Sequence, residues 1–344
     1  MLEKRRVGIV YNQPAVHGEA HWEASRDVLV QVESVEKGLE ASGYGWVRIP
    51  FTKELLEFTR SVKEENVDIA FNLCESVDEE PQLVWHPAAV LELLGIPFSG
   101  SPSAALLLTT DKLLTKRLLK ASGIRTPDYL VYNGSKDFSP AVLRFPVILK
   151  PRFEDASIGI DQDSIFENET DLCAALPGFF ARYGALLVEE FIAGREFNIS
   201  LLGYPVARVL PIAEIDFSAF PENLYPIVGY RAKWERDSFE YHNTPRSFPQ
   251  DLPQLTRSRM QGIALDCFRL FELRDYGRID LRLDDRGKIY VLEVNANPCL
   301  SPDAGLAASA CQDGLTHSQL VTMIAAFTKQ RSPHHDHTAS NISG

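Results

Sequence analysis

The stretch at residues 277–298 constrains this chain more than any other, because it combines a strand pattern with closely spaced oxygen-bearing side chains. Apolar and charged residues alternate over 278–283, which is the period of a half-buried strand. Residues 284–287, Asp-Asp-Arg-Gly, have turn chemistry, and a second strand is expected over 288–294. The segment is therefore predicted to form a β-hairpin.

The pairing of this hairpin decides which polar side chains meet. If Leu283 pairs with Lys288, Arg278 lies opposite Glu293, and Asp280 lies diagonally from Glu293 on the same face. An alternative interpretation is a surface hairpin whose charges are simply solvated. It is disfavoured because Glu293 interrupts an apolar run, and acids inside apolar strands are costly unless they are paired or bound to a metal.

The polar face of the predicted hairpin has the chemistry of a metal and phosphate site. Asp280, Glu293 and Asn295 offer carboxylate and amide oxygens, the ligands that Mg²⁺ prefers, and leave coordination positions for phosphates and water. Arg278 beside them offers a fixed positive fork for a phosphoryl group or an oxyanion. The hairpin is therefore expected to bind Mg²⁺ (or Mn²⁺) together with a phosphorylated ligand.

Two short motifs on this hairpin resemble the metal-binding end of ATP-grasp ligases. They are Arg-Ile-Asp at 278–280 and Glu-Val-Asn-Ala-Asn-Pro at 293–298, and the similarity is greatest to the D-alanine–D-alanine ligase group. The resemblance extends over about residues 71–329. It rests on the order and spacing of several motifs and not on any one of them.

The resemblance implies roles for residues in four further segments. Lys112 and Lys150 are expected at the nucleotide phosphates, under a loop at 152–159 that closes over them through backbone N–H groups. The segment around 189–192 is expected to hold adenine, and a lid at 226–245 is expected to bring Lys233 to the γ-phosphate. The residues implied for ATP are Lys112, Lys150, Glu189, Glu190, Phe191, Ile192, Glu196 (at the ribose) and Lys233, and the catalytic residues are Arg278, Lys233 and Ser157.

The predicted fold class is α/β: an ATP-grasp fold preceded by an N-terminal open parallel α/β domain. Strand and helix patterns alternate from residue 7 to residue 98, which indicates a parallel sheet, and no GxGxxG motif follows the first strand. A single helix is expected over 103–122. The expected domains are 1–102, 103–188 and 189–331, followed by a disordered tail at 332–344 whose histidines are not interpreted as a metal site.

Composition limits the kinds of partner. A length of 344 residues suits two or three subdomains, and a net charge of −12 argues against a general nucleic-acid or membrane-surface role. The five cysteines are scattered without a CxxC pair, which favours a reducing cytoplasm. The N-terminus lacks an apolar signal region, and no apolar run approaches the ~20 residues of a membrane span. A homodimer is left open.

The reaction that the resemblance implies is ATP-dependent joining of a carboxylate to an amine, with amino acids as the expected substrates. The carboxylate becomes an acyl phosphate, the amine displaces phosphate, and ADP is the other product. Three alternatives remain open: D-alanine–D-alanine ligase itself, a nucleotide-binding regulator without turnover, and a small-molecule kinase. The regulator is disfavoured because Arg278 and the three metal ligands are retained together.

Several positions depart from the D-alanine–D-alanine ligase pattern. The family's phosphate loop carries adjacent serines and its lid has a tyrosine, whereas this chain has Ala156 and Trp234 at those positions. A serine that holds the second alanine's carboxylate in the family is Ala304 here, and either Glu19 or Glu23 is left to orient the first substrate. Loss of polar partners changes specificity strongly, so a different acid or amine is expected.

A further polar side chain near the end of the hairpin has two interpretations. Asp303 could face a cationic amine, or it could cap the helix that is expected to follow it.

Overall fold

The computed structural model describes residues 6–14 and 22–331, and the expected tail at 332–344 lies outside the described residues. The strands are β1 (Arg6–Asn12), β2 (Gly45–Phe51), β3 (Ile69–Asn72), β4 (Tyr129–Tyr132), β5 (Val147–Pro151), β6 (Ile165–Phe166), β7 (Leu186–Glu190), β8 (Arg195–Gly203), β9 (Arg208–Val209), β10 (Ala213–Ile215), β11 (Arg246–Ser247), β12 (Asp275–Leu283) and β13 (Ile289–Asn295). The helices are α1 (Trp22–Ala41), α2 (Leu55–Glu64), α3 (His86–Leu93), α4 (Ser103–Thr110), α5 (Lys112–Ala121), α6 (Glu169–Tyr183), α7 (Tyr230–Trp234), α8 (Phe239–His242), α9 (Gln254–Leu270), α10 (Gly305–Gln312) and α11 (His317–Gln330).

The N-terminal strands form a parallel sheet in the order β2-β1-β3. Valines and leucines at helical spacing on α1 are fully buried, and α1 packs against α11 and the first sheet. Residues 96–98, at the end of the region where strand and helix patterns were expected to alternate, do not form a full strand. The N–H of Ala70 donates to the Pro97 carbonyl, and the Ala70 carbonyl accepts from the N–H of Ser99. These two hydrogen bonds make a single parallel bridge between Ala70 and Phe98.

The single helix expected over 103–122 is wrong, because the structure has two helices that meet at Asp111. Asp111 has an extended backbone (φ −79°, ψ 97°), and its side chain accepts hydrogen bonds from the N–H groups of Leu113 and Leu114 at the start of α5. Its carboxylate also accepts from Arg152 Nε at 2.8 Å. The break thus directs α5, and Lys112 with it, toward the loop that follows β5.

The second sheet is antiparallel, in the order β4-β7-β5-β6. Its apolar face packs with α6 and contains Val147, Leu149 and Val188, which are fully buried. The third sheet has the order β11-β10-β8-β12-β13, with β9 paired to β8. Helix α9 covers its apolar face through Met260, Ala264 and neighbouring side chains. No helix within the described ranges is long and apolar enough to cross a membrane.

The hairpin at 277–298 forms as expected, but its predicted register is wrong. Leu283 pairs with Ile289 instead of Lys288, and the register shifts again after Asp280, so that Asp280 lies directly opposite Glu293. Arg278 lies opposite Asn295. The second shift comes from a β-bulge at Leu292, which adds one residue to β13 and turns its last polar residues onto the face that carries Arg278 and Asp280.

Candidate active site

A cavity of about 290 Å³ lies between the second and third sheets and collects most of the residues expected to bind ATP. Because β5 and β7 form one wall and β8, β12 and β13 the other, side chains from distant parts of the chain converge there. The predicted residues that line it are Lys112, Lys150, Ser157, Glu189, Glu190, Phe191, Ile192, Glu196, Lys233, Arg278, Asp280 and Glu293. Asn295 instead lines a second, adjoining cavity.

Glu189 is fixed at the inner end of this cavity by two lysines. Its Oε2 atom accepts from Lys150 Nζ at 3.0 Å and from Lys116 Nζ at 3.1 Å, and its Oε1 atom is buried without a partner among the described residues. Burial disfavours the charge of Glu189, but the two ammonium groups outweigh it and lower its pKa. Burial in turn lowers the pKa of Lys116 to about 8. One carboxylate oxygen therefore remains free to accept a donor from a ligand.

The segment after β7 is held by side chains that leave its inner face open. The carboxylate of Glu190 turns away from the cavity and accepts hydrogen bonds from Arg144, including Nε at 3.0 Å. Arg282 is buried beneath the segment, where Nη1 donates to the Ile192 carbonyl at 2.9 Å and Nη2 donates to Glu196 Oε2 at 2.7 Å. Its guanidinium lies 5.2 Å from the Phe191 ring centroid. Arg282 therefore positions both the expected adenine segment and the expected ribose ligand.

Asp280 lies at the centre of the polar face of the hairpin. Arg278 donates to both of its oxygens at 2.8 and 2.9 Å, and Asn198 Nδ2 donates to Oδ1 at 2.8 Å. Directly across the strand pair, Glu293 is ionised more readily than usual. Burial opposes its charge, but Lys112, Lys233 and Arg278 outweigh that effect and lower its pKa.

The metal set expected from the sequence fits this face of the hairpin. Asp280, Glu293 and Asn295 project from one side of β12 and β13 and present hard oxygen donors. Within the described ranges there is no cluster of three or more His, Cys, Asp or Glu side chains that could hold a metal ion, so a metal here would have to take further ligands from elsewhere. Two carboxylates and an amide therefore suit an ion that shares its remaining positions with phosphate and water.

The loop after β5 and the expected lid are joined by hydrogen bonds. Trp234 Nε1 donates to the Ala156 carbonyl at 2.9 Å, and Ser157 Oγ donates to the Val228 carbonyl at 2.8 Å. The backbone N–H of Tyr230 donates to the Ile160 carbonyl at 2.8 Å. The indole of Trp234 thus joins the lid to the loop, although it lacks the hydroxyl of the family's tyrosine. Ala156 and Ser157 have positive φ values of 54° and 63°, which turn this loop over the cavity.

Two lysines complete the cationic part of the cavity. Lys112 Nζ donates to the Glu154 carbonyl and lies 3.6 Å from Asp155 Oδ1, so it is held against the loop. Burial and then the charge of Arg278 lower the pKa of Lys233, while Glu293 acts in the opposite direction. Lys112, Lys233 and Arg278 thus concentrate positive charge near Glu293, an arrangement that is suited to a polyphosphate.

A second cavity of about 400 Å³ adjoins the first and shares part of its lining. The residues common to both cavities are Ala232, Lys233, Arg246, Arg278 and Glu293. The far wall carries Asp27 and Glu75, whose hydrogen-bond partners are neutral: Cys299 Sγ donates to Asp27 at 3.1 Å and Gln31 Nε2 to Glu75 at 2.7 Å. Burial raises the pKa of Glu75 to about 7.

Some functional residues were missed by sequence reasoning. Three of them bond to predicted residues from other strands or helices: Lys116 to Glu189, Asn198 to Asp280 and Arg282 to Ile192. Three others line the second cavity: Asp27, Glu75 and Arg246. Only Lys116 carries a local signal, because it follows Lys112 by one helical turn. Glu19 lies outside the described residues, as does the side chain of Glu23.

Comparison with known proteins gives a consistent result. A family model described as the D-ala D-ala ligase C-terminus matches residues 118–326. A D-alanine–D-alanine ligase of Pseudoalteromonas translucida is 34% identical over 241 residues, which cover 69% of this chain and 73% of the relative. A D-alanine–D-alanine ligase of Marinomonas sp. is 30% identical over 310 residues, 88% of this chain and 91% of the relative. An uncharacterized protein of Sinorhizobium fredii, y4sG, is 33% identical over 264 residues, 76% of this chain and 75% of the relative.

Solved structures agree on the fold. The D-alanine–D-alanine ligase of Bacillus anthracis complexed with ATP aligns with a TM-score of 0.75 and 23% identity, covering 95% of this chain and 98% of that one. The fold is that of the ATP-grasp proteins, and the family model and the relatives place the chain among the ATP-dependent ligases that form C–N bonds. Within that class, the chain belongs to the D-alanine–D-alanine ligase family. The resemblance predicted from the sequence is confirmed.

Proposed function

We propose that this protein joins a carboxylate to an amine through an acyl phosphate and releases ADP and phosphate. The observation that carries the proposal is the wall shared by the two cavities, where Lys233, Arg278 and Glu293 face both spaces. A nucleotide in the first cavity and a small acid in the second would meet at these residues. Phosphoryl transfer requires this proximity together with strong positive charge.

The nucleotide half of the proposal uses the residues of the first cavity. Adenine lies against the 189–192 segment, with the free oxygen of Glu189 accepting from its amino group, and Glu196 faces the ribose. Lys112 and Lys150 contact phosphates, and Lys233 contacts the γ-phosphate.

The hairpin is proposed to hold the metal. Mg²⁺ bound by Asp280, Glu293 and Asn295 would supply charge that neutralises the phosphates. Arg278 holds Asp280 in place and also lines the second cavity. One guanidinium is therefore adjacent both to the proposed metal ligands and to the second cavity.

Transfer and ligation then follow at the shared wall. An oxygen of the substrate carboxylate attacks the γ-phosphorus, the bond to the ADP oxygen breaks, and the acyl phosphate forms. The uncharged amine attacks the acyl carbon and forms the C–N bond, and Arg278 stabilises the oxyanion of the tetrahedral intermediate. The bond between the acyl carbon and the phosphate oxygen then breaks, phosphate leaves, and the nitrogen gives up its proton to solvent. The loop and lid, joined through Ser157 and Trp234, exclude water that would hydrolyse the acyl phosphate.

The substrate pair is proposed to differ from two D-alanines. Ala156 and Ala304 replace two serines of the family, and α10 begins after Ala304 without a side-chain cap. The second cavity carries arginines near the shared wall and Asp27 and Glu75 opposite, a distribution that suits a zwitterionic amino acid. The retained ATP set with an altered substrate set favours a ligase that makes a different peptide-like product.

The test is a screen of the purified protein for phosphate release with ATP and Mg²⁺ across pairs of amino acids, including D-alanine alone. Phosphate and ADP should appear together only when an acid and an amine are both present, and mass spectrometry should detect the amide. ADP formation with an acid alone, and a stable phosphorylated acid, would identify a kinase instead. ATP binding without turnover in any mixture would favour a regulator, and fastest formation of D-alanyl-D-alanine would refute the proposed change of substrate.

A further inference from the structure

Arg246 has an environment that the roles proposed above do not explain. It lies on the short edge strand β11, which pairs with β10, and its side chain reaches the wall shared by both cavities. Its Nη1 atom donates to the backbone carbonyl of Asp303 at 3.1 Å, and its Nε atom is buried without a hydrogen-bond partner in the part of the chain that the structure describes. Among the described residues, no carboxylate forms an ion pair with this guanidinium.

A second cation lies close to Arg246. Burial and then the like charge of Arg278 lower the pKa of Arg246. The charges of Asp303 and Asp280 oppose this effect, but neither carboxylate forms an ion pair with Arg246, so an anion bound between the two guanidinium groups would relieve their repulsion. Arg278 uses Nε and Nη2 for Asp280, which leaves its Nη1 atom as the group available to such an anion.

The two guanidinium groups face the first residue of α10. A Cβ atom placed on Gly305 would lie 3.7 Å from Arg246 Nη2 and 3.8 Å from Arg278 Nη1. The glycine therefore leaves an open space between the arginines. The residue before it, Ala304, makes no side-chain cap, so the first N–H groups of the helix add to the positive potential of the space.

We propose that Arg246 is a specificity-determining residue that binds, together with Arg278, the carboxylate of the amine substrate. Its charge replaces the serine hydroxyl that the family pattern places at Ala304. The amine substrate is then an amino acid with a free carboxylate, and its carboxamide or a simple amine is a poor substrate. This inference rests on the proposed function.

The test uses the acid and amine pair that the phosphate-release screen identifies, and compares the free amine substrate with its carboxamide. Wild-type protein should prefer the free carboxylate by at least about 10-fold in kcat/KM. Arg246→Met should raise the KM for the free carboxylate substrate by about 10- to 100-fold, the loss expected for a charged hydrogen-bonded contact. The KM for ATP should stay within about 2-fold. Arg246→Lys should restore part of the loss, because it keeps the charge without the fork.

Arg208→Met serves as the matched control, because Arg208 lies on the same sheet, outside both cavities, and pairs with Asp313. It should leave both KM values unchanged. A rise in the KM for ATP with an unchanged KM for the amine would overturn the inference and assign Arg246 to phosphate. Unchanged discrimination between the free carboxylate and the carboxamide in Arg246→Met would also overturn it. So would the finding that the amine with the highest kcat/KM has no carboxylate group. In those cases the ligase proposal stands, whereas no ligation by wild-type protein would refute both.

Discussion

The contact between lid and loop gives a prediction whose size follows from the hydrogen bonds. Trp234→Phe removes the bond from Nε1 to the Ala156 carbonyl, and Ser157→Ala removes the bond from Oγ to the Val228 carbonyl. A hydrogen bond of this kind contributes about 1 kcal/mol net, so each variant should shift lid closure by a factor of about 5. The double variant should shift it by about 2 kcal/mol, or roughly 30-fold, if the two bonds act independently.

The assay measures the KM for ATP and the ratio of phosphate released to amide formed. Opening of the lid admits water to the acyl phosphate, so each variant should raise the KM by up to about 5-fold and release more phosphate than amide. Trp46→Phe is the control, because Trp46 is partly exposed on β2 and lies outside both cavities. A double variant with KM and ratio both within about 2-fold of wild type would refute the inferred role of these bonds.

Three further predictions concern the two cavities. Glu293→Gln should lower ATP turnover by at least about 100-fold with an unchanged unfolding temperature, and wild-type-like turnover would exclude Glu293 as a metal ligand. Lys150→Met should weaken ATP binding by about 10-fold in calorimetry, since it removes the proposed phosphate contact and one of the two cations on Glu189; unchanged affinity would contradict this role. Burial raises the pKa of Glu75 from its ordinary 4.5 to about 7, so its negative charge develops between pH 6 and 8. If that charge binds a substrate ammonium group, kcat/KM should rise over this window in wild type and stay flat in Glu75→Gln; equal pH profiles would argue against this contact.

The residues that the resemblance implies for ATP converge on one cavity, and the motifs that carry them are local enough to be located in the sequence. Strand alternation located β12, and the acids that interrupt an apolar strand indicated the polar face of the hairpin. The bulge at Leu292 could not be predicted, because an extra apolar residue in the run Val-Leu-Glu-Val leaves no mark on the pattern. The bulge nevertheless decides that Asp280 faces Glu293 directly.

The residues that line the second cavity were much harder to predict from the sequence. Asp27 and Glu75 come from the first sheet and its helix, whereas Arg246 comes from an edge strand of the third. Residues that meet only because separate sheets pack together have no fixed separation in the sequence, so no motif reveals their contact. The break between α4 and α5 was missed for a similar reason, since Asp111 is held in an extended conformation partly by the distant Arg152.

The acyl phosphate is the central claim of the proposed mechanism, and isotope transfer tests it most directly. The acid substrate is labelled with ¹⁸O in its carboxylate and incubated with ATP, Mg²⁺, the amine and the purified protein. Because the carboxylate oxygen that attacks the γ-phosphorus leaves with the phosphate, each phosphate released should carry one ¹⁸O atom, and the amide should retain the other. Unlabelled phosphate accompanied by amide formation would contradict the mechanism.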